Sequence, residues 1–302
     1  MADPQPTHLR NIARWSWLAI AILVIGPLAG AITASLTRAD GGADATFLVT
    51  GSISAGVLAA LGCAALALVA GVGGSRLFGP RTGLSSAGFV LAWAAWRSGR
   101  VDHLLRASDS PTPMTTLAIE GALFGLLAIL TAGVIVAIAV PRNEHEREQY
   151  LFGGDRFPLL KLVSLQAVLA TAVTAVIALV VGWTIAVNAM KGQTVMAAIF
   201  AGIFGAAAGR LAGAMVKDEI HPLSYFFGFL IAAVAAPVIA SVSHGPELLA
   251  VADASTLFAA ARLTPADWFA GAFLGVPIGM AWVHSMMDRQ GALPEERRAK
   301  AT

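Results

Sequence analysis

The chain has 302 residues, of which 57% are hydrophobic and 13% are charged. Soluble proteins carry about 25% charged residues, so this composition indicates an integral membrane protein whose first partner is the lipid bilayer. A net charge of +2 with scattered basic residues argues against nucleic-acid binding. The single cysteine, Cys63, excludes an intrachain disulfide and makes a cysteine-based metal site improbable.

The first apolar stretch, residues 15–36, follows a polar N-terminal segment. It contains a small-residue pattern at 29–31 that fits signal-peptide cleavage, but the stretch is longer than the apolar region of a signal peptide. We therefore predict a retained transmembrane helix. The pair Gly26-Pro27 should bend it, because proline lacks the amide hydrogen that a helix requires.

Apolar segments continue along the chain and predict an all-α polytopic transmembrane helix bundle of about eight spans. The later segments are 46–72, 84–96, 115–140, 159–188, 194–216, 223–242 and 268–287. The third of the eight, 84–96, is short for a crossing. A six-span arrangement, with the third and sixth segments re-entrant, is therefore an open alternative.

The longest polar break divides the chain into halves. The predicted organisation is an N-terminal segment 1–13, a first transmembrane half 14–140, a linker 141–158, a second transmembrane half 159–287 and a tail 288–302. Most Lys and Arg residues outside the spans lie in the two termini or in loops on the same side of the membrane as the linker. The positive-inside rule then predicts a bacterial cytoplasmic (inner) membrane protein with both termini cytoplasmic.

The last span is preceded by two local signals. Residues 246–262 are mildly amphipathic, which is typical of a helix lying on the membrane surface. Thr264, Pro265 and Asp267 then match the N-cap, the first-turn proline and the acidic third residue of a helix start. We expect the eighth span to begin there.

Two segments resemble each other within the chain. The sequence AGFVLAWAAWR, residues 87–97, and the sequence AGIFGAAAGR, residues 201–210, both begin with Ala-Gly and end in arginine. If spans two to four correspond to spans five to seven, the odd number of crossings makes the second copy inverted in the membrane. Inverted repeats are common in secondary transporters.

Two glycine stripes recur at a spacing of four residues, which places each stripe on one helix face. Such faces allow close approach of a neighbouring helix, so we predict that the sixth and eighth spans are buried and pack against each other. The stripe residues are Gly205, Gly209, Gly213, Gly271, Gly275 and Gly279.

Among the ionisable residues within or at the ends of apolar segments, three are candidates for function: Glu120, Arg97 and Arg210. Such groups are costly in hydrocarbon and are candidates for a substrate or ion path. Glu120 and Arg97 lie towards the same membrane face, so we predict an ion pair between them. Arg210 either extends to the headgroups or is buried with a partner or ligand.

Catalytic signatures are missing from the sequence. Neither the His-Glu-x-x-His zinc motif nor the Gly-x-Ser-x-Gly nucleophile motif occurs, so the sequence gives no positive support for an enzyme, and we predict no metal site and no cofactor. An intramembrane enzyme or sensor stays open as a third alternative to the two functions that follow. The sequence favours a small-solute or ion transporter or channel-like protein. The alternative is a non-catalytic structural or assembly subunit, working as a homo-oligomer or with a membrane partner.

Overall fold

The computed structural model describes residues 7–108, 110–139, 164–214 and 220–299. The helices are α1 Thr7–Ile20, a π-helical turn Ala21–Ile25, α2 Gly26–Ala34, α3 Ile53–Phe78, α4 Pro80–Arg97, α5 Val101–Ser108, α6 Thr112–Ala137, α7 Leu165–Ile185, α8 Lys191–Ala214, α9 Leu223–His244, α10 Leu248–Asp253 and α11 Pro265–Ala299. Two short 3-10 helices are Gly245–Glu247 and Ala259–Arg262. No strand occurs in these ranges, and the predicted linker 141–158 lies outside them.

Seven helical stretches of the described chain are long and apolar enough to cross a membrane. They are His8–Ala34, Ile53–Phe78, Thr112–Ala137, Leu165–Ile185, Lys191–Gly213, Leu223–Asp253 and Pro265–Met286. An eighth long helix, α4, is less apolar and has 18 residues, or about 27 Å of helix. The all-α polytopic bundle predicted from the sequence is thereby confirmed.

The connections between helices gather at two ends of the bundle, which we call the loop end and the tail end. The loop end contains residues 35–52, 98–108, 110–111, 186–190 and 245–264, and the tail end contains the first turn of α1 and the α3–α4 turn. Contacts between distant connections hold the loop end together. Gly99 donates its amide to the Ala45 carbonyl at 2.6 Å, and the Ser98 and Thr264 hydroxyls are 3.2 Å apart.

Helix α4 runs the whole way between these ends. It begins directly after Gly79, whose φ of +98° reverses the chain at the tail end, and it stops at Arg97, next to the loop-end residue Ser98. Helix α8 likewise runs from Lys191 at the loop end to Gly213, which packs against Ile220 at the tail end. The third and sixth segments are therefore single continuous helices, which agrees with the arrangement of about eight spans.

The predicted bend in the first span is a π-helical turn. Gly26 donates its amide to the Ala21 carbonyl, five residues back, which leaves the Ile22 carbonyl without its usual helical donor. The Trp93 indole of α4 donates to that carbonyl at 2.7 Å. The bend created by Pro27 is therefore stabilised by a neighbouring helix.

The packing of α3, α4 and α6 is repeated by α7, α8 and α9. In each group the first helix contacts the second and the third, and the second and third contact each other. The two groups meet through α6 against α9 and α4 against α8, while α11 contacts both α4 and α8. Since α3 starts at the loop end and α7 at the tail end, the groups run in opposite directions.

The glycine stripes of α8 and α11 have different neighbours. Helices α8 and α11 form the most extensive helix contact among the described residues, and Gly275 of α11 lies so close to α8 that an added Cβ would be 2.6 Å from the Gly202 Cα. The stripe residues of α8 face elsewhere. Gly205 and Gly209 approach the Thr174 and Ala170 carbonyls of α7. The helix pairing is as predicted, but α8 meets α11 through Gly202.

The segment before α11 differs from the predicted surface helix over 246–262. It contains α10 and the 3-10 helix Ala259–Arg262, separated by Ser255 with a φ of +57°. The second of these, the 3-10 helix Ala259–Arg262, is buried in the bundle among apolar residues. The predicted start of α11 is confirmed: Thr264 donates its amide to Asp267 at 2.8 Å, and Asp267 donates its amide to the Thr264 hydroxyl at 3.3 Å.

Candidate functional site

The carboxylate of Glu120 is buried inside the bundle, with 1% of the residue exposed. It lies eight residues after Thr112, the first residue of α6, which corresponds to a depth of about 12 Å from the loop end. Its Oε2 atom accepts two hydrogen bonds, from the Thr46 hydroxyl at 2.5 Å and from the Leu48 amide at 2.8 Å. Its Oε1 atom is equally buried and has no hydrogen-bond partner among the described residues, although the Phe47 amide also lies close to this carboxylate.

Both donors come from an irregular stretch of chain, residues 45–49, that enters the bundle between α2 and α3. Ala45, Thr46 and Phe47 are each at most 2% exposed. The Phe47 ring lies 4.8 Å from the Phe124 ring of α6, one helical turn beyond Glu120. Gly56 of α3 permits this insertion, since a side chain there would overlap the Phe47 carbonyl.

The helix of the second span begins later than predicted, at Ile53 instead of residue 46. Residues after Thr46 are as hydrophobic as α3, so hydropathy does not separate them from the helix. The helix nevertheless begins at Ile53, because Ser52 caps it by accepting a hydrogen bond from the Ala55 amide. Serine in this position is a strong helix-start signal. That signal could have separated the 45–49 segment from the helix.

A cavity of about 270 Å³ adjoins Glu120. Apart from Glu120, its lining is apolar: Phe47, Leu48, Val57, Ala60, Leu61, Leu123, Phe124 and Leu127. Leu61 of α3 is 49% exposed and Leu123 of α6 is 57% exposed, so the cavity opens on the apolar outer surface between these helices. This surface is the one that faces lipid in a membrane.

A second, more polar pocket of about 410 Å³ lies at the loop end. Its lining includes Arg38, Asp40, Thr50 and Thr116. We call this polar pocket the vestibule. Leu48 lines both the vestibule and the apolar cavity beside Glu120. The backbone that binds Glu120 therefore separates a polar pocket at the loop end from an apolar pocket open to the side.

Carboxylates near the vestibule are held by basic groups. Arg38 donates a bidentate pair of hydrogen bonds to Asp40, and this contact lowers the pKa of Asp40 to about 2. Asp44 lies 3.0 Å from His103 and 3.7 Å from Arg100. Partial burial opposes ionisation of Asp44, but these partners outweigh it and lower its pKa below 3.8.

A buried polar network joins α8, α11 and the end of α4. Asp267 is fully buried and lies 3.3 Å from the Lys191 ammonium, which also donates to the Ser98 hydroxyl at 2.9 Å. Thr194 and Thr264 donate their hydroxyls to the same carboxylate.

Arg262 and Asp102 form a second buried ion pair at the loop end, with Nε and Oδ2 3.6 Å apart. Burial raises the pKa of Asp102, and the positive charge of Arg262 opposes that shift. The Arg262 guanidinium also donates to the backbone carbonyls of residues 186, 187 and 255. These partners lie far apart in sequence, and no local motif marks them.

Arg97 is not the partner of Glu120, so that predicted ion pair is wrong. Arg97 is exposed at the end of α4, where its side chain lies against Gly30 of α2 and lines a surface pocket with Pro27 and Trp93. It interacts with no carboxylate among the described residues. Its position at the loop end is as expected, but it lies on the α2 side of α4, whereas Glu120 is enclosed by α3, α6 and residues 45–49.

Arg210 is partly buried near the tail end of α8. Its Nε atom is buried and has no hydrogen-bond partner within the described ranges, and its guanidinium lies beside the hydroxyl of Tyr225, which is fully buried. This arrangement is intermediate between the two alternatives predicted from the sequence. The three predicted path residues are therefore not gathered at one site: Glu120 and Arg97 lie towards the loop end, and Arg210 towards the tail end.

The residues that surround Glu120 were not predicted, because Thr46 and Leu48 lie more than 70 positions away in sequence. Among the described residues, no group of three or more His, Cys, Asp or Glu side chains could hold a metal ion. No protein-family model, curated protein or solved structure matches this chain. Function must therefore be inferred from the site itself.

Proposed function

We propose that this chain is a membrane transport protein for protons or small cations, in which Glu120 binds the transported species. The observation that carries the proposal is the Glu120 carboxylate itself. It is buried in α6, it is held through one oxygen by residues 45–49, and its other oxygen accepts no hydrogen bond from any residue that the structure describes. An ionisable group at this depth is costly unless it has a partner or a function.

The irregular backbone around Glu120 supports this reading. Peptide groups outside helices are tolerated at membrane depth only where they are buried in protein or line a cavity. Residues 45–49 do both, and they connect the loop-end vestibule to the apolar cavity through Leu48. Interrupted helical structure of this kind commonly marks binding sites in transporters.

The composition of the site favours a proton over a metal ion. Calcium requires about six to eight oxygen ligands and magnesium about six. Glu120 instead lines a cavity whose other lining side chains are apolar. A proton needs no further ligands and neutralises the carboxylate, which removes the cost of burying its charge.

The packing of α3, α4 and α6 against α7, α8 and α9 supports an inverted repeat, with the two groups meeting at α6 and α9. Glu120 lies on one of these two meeting helices, where a transporter built from inverted halves has its site. We further propose that the tail end is cytoplasmic, since most Lys and Arg residues outside the spans belong to that side.

An assembly subunit is the alternative function. It would use close-packing glycine faces to bind a partner helix. Here Gly271, Gly275 and Gly279 contact α8 of the same chain, and Gly205 and Gly209 contact α7. These faces are occupied internally, so they do not favour the alternative.

The test is proton movement in proteoliposomes that contain a trapped pH-sensitive dye. With an imposed pH gradient and valinomycin-clamped potassium to compensate charge, we expect the wild type to dissipate the gradient faster than empty liposomes. Glu120→Gln should abolish the difference, whereas Glu247→Gln, at an exposed position, should retain it. Equal rates for wild type and Glu120→Gln, with both proteins folded and equally reconstituted, would refute the proposal.

A further inference from the structure

We propose that the cavity beside Glu120 binds a small hydrophobic amine in its ammonium form, and that this ammonium and a proton compete for Glu120 Oε1. The inference rests on the proposed function, because it assigns a cargo to the same carboxylate. It goes further by naming a ligand class and the route by which that ligand reaches the site.

The hydrogen-bonding pattern at Glu120 defines what the ligand must offer. Oε2 already accepts from the Thr46 hydroxyl and the Leu48 amide, whereas Oε1 is buried and accepts no hydrogen bond from the part of the chain that the structure describes. A buried carboxylate requires a compensating charge and hydrogen-bond donors. A tertiary ammonium supplies both, because its positive charge balances the carboxylate, its single N–H group can donate to Oε1, and its other substituents meet the apolar walls.

The cavity defines the rest of the ligand. Its volume of about 270 Å³ is slightly below the range of about 300–1,000 Å³ for drug-sized ligands, so a molecule of about ten non-hydrogen atoms fits. The lining beyond Glu120 consists of aliphatic side chains and the rings of Phe47 and Phe124. An aryl or alkyl group therefore complements the walls, while the ammonium pairs with the carboxylate.

The two sides of the site provide separate routes for the amine and the proton. The cavity opens between α3 and α6 through the half-exposed Leu61 and Leu123, on the surface that faces lipid. Hydrophobic amines partition into that layer. The polar vestibule lies on the other side of Leu48 and gives a proton leaving Glu120 a path to water.

The exchange conserves atoms and charge. Protonated Glu120 releases its proton from Oε1 to the vestibule, and the ammonium then forms an ion pair with the carboxylate. One positive charge replaces one positive charge, and no covalent bond other than the O–H bond breaks. In the reverse direction, proton binding at Oε1 releases the ammonium towards lipid.

Few other charges act on this exchange. The residues of α3, α6 and the 45–49 segment that line the cavity, other than Glu120, are apolar. From α8, Lys191 acts on Glu120 over a distance, and its ammonium is itself paired with Asp267 of α11 at 3.3 Å. The pH dependence of binding should therefore report the competition at Glu120.

The experiment measures binding of radiolabelled N,N-dimethyl-2-phenylethylamine, a tertiary amine, to the full-length protein in nanodiscs, with empty nanodiscs as the background. We expect saturable binding that weakens on the acid side by up to about tenfold per pH unit, because protons compete for the same oxygen. In weak buffer, amine binding should release protons. The N-trimethyl analogue, which has the charge but no N–H donor, should bind more weakly.

Three variants separate the site from general effects. Glu120→Gln should lower the affinity by at least about tenfold, since it removes the charge from a buried pair. Leu61→Trp, which keeps the carboxylate but fills the mouth of the cavity, should also lower it. Glu247→Gln is the matched control at an exposed glutamate, and its affinity should equal that of the wild type.

The outcomes distinguish this inference from the proposed function. Glu120-dependent proton flux without saturable amine binding would overturn the amine site and leave the transport proposal intact. Amine binding that depends on Glu120, in a protein without proton flux, would support the amine site and refute proton transport. Binding that is unchanged in both Glu120→Gln and Leu61→Trp, or that is independent of pH, would overturn the inference.

Discussion

The Arg262–Asp102 pair gives a prediction about stability that follows from its contacts. Arg262 is 3% exposed, and its guanidinium joins Asp102 to three backbone carbonyls: Ala186 at 3.1 Å, Val187 at 2.5 Å and Ser255 at 2.5 Å. The substitution Arg262→Met keeps much of the side-chain length but removes every donor. It leaves a buried carboxylate and three carbonyl groups without this partner.

Breaking a buried ion pair from one side costs about 3–5 kcal/mol, which is a large part of a typical stability of about 5–15 kcal/mol. We therefore expect Arg262→Met to lower the free energy of unfolding by about 3–5 kcal/mol. Arg106→Met is the matched control. Arg106 pairs with Asp253, which is 69% exposed, so this loss should be at most about 1 kcal/mol.

The pH dependence provides a second readout. Burial raises the pKa of Asp102 in the folded protein above 3.8, so the folded state binds a proton more readily than the unfolded state. Such a group makes the protein less stable as the pH rises from 3.8 through the folded-state pKa. Removing Arg262 increases this penalty, so the destabilisation of Arg262→Met should shrink as the pH falls.

The assay is unfolding of the purified protein by SDS in mixed micelles, followed by tryptophan fluorescence. The double variant Arg262→Met with Asp102→Leu should be more stable than the single variant, because it removes the unpaired charge. A single variant within about 1 kcal/mol of wild type at neutral pH would refute the reasoning. So would a double variant that is less stable than the single one.

Three further predictions concern other parts of the bundle. Gly275→Ala should lower the free energy of unfolding by about 1–3 kcal/mol, because the new Cβ would lie 2.6 Å from Gly202. In the control Gly192→Ala the nearest atom is 3.6 Å from the new Cβ, so the free energy of unfolding should change by at most about 1 kcal/mol. Equal losses for the two variants in SDS unfolding would contradict this. The lowered pKa of Asp44 stabilises the wild type above pH 3.8, and this stabilisation is lost as the pH falls through the pKa of the folded protein. Asp44→Asn should lack this contribution, so its melting temperature should depend less on pH in that range. Parallel curves of melting temperature against pH for the two proteins would count against it. A reporter fused within residues 101–112 should give an extracytoplasmic signal, and a cytoplasmic signal would reverse the proposed orientation.

Local signals in the sequence predicted several features of the fold. Apolar length identified the spans, because a helix must cross about 30 Å of hydrocarbon. Pro27 predicted the bend in the first span, and Thr264 with Asp267 predicted the start of α11, since these effects act within one or two helical turns. The helix boundaries were less accurate: α3 begins at Ile53 because of its Ser52 cap, although hydropathy alone extends it to residue 46.

The candidate site was predicted only through Glu120, whose cost in an apolar span is visible in the sequence. Its supposed partner, Arg97, was chosen by depth along the helix axis. Depth does not determine which side of a helix a residue occupies, and α4 turns Arg97 towards α2. The true partners belong to a loop that hydropathy had merged with a helix.

The sequence by itself determined three things: the chain is a membrane protein, its long helices coincide with the apolar segments, and Glu120 is an ionisable group inside one of them. Hydrophobic length and the cost of burying a charge are properties of single segments, so they can be recognised without the tertiary structure. Tertiary structure decided which faces meet. It turned the α8 glycine stripe towards α7, paired Arg262 with Asp102, and inserted residues 45–49 against Glu120. These contacts join residues far apart in the chain, and only the three-dimensional packing of the helices selects them.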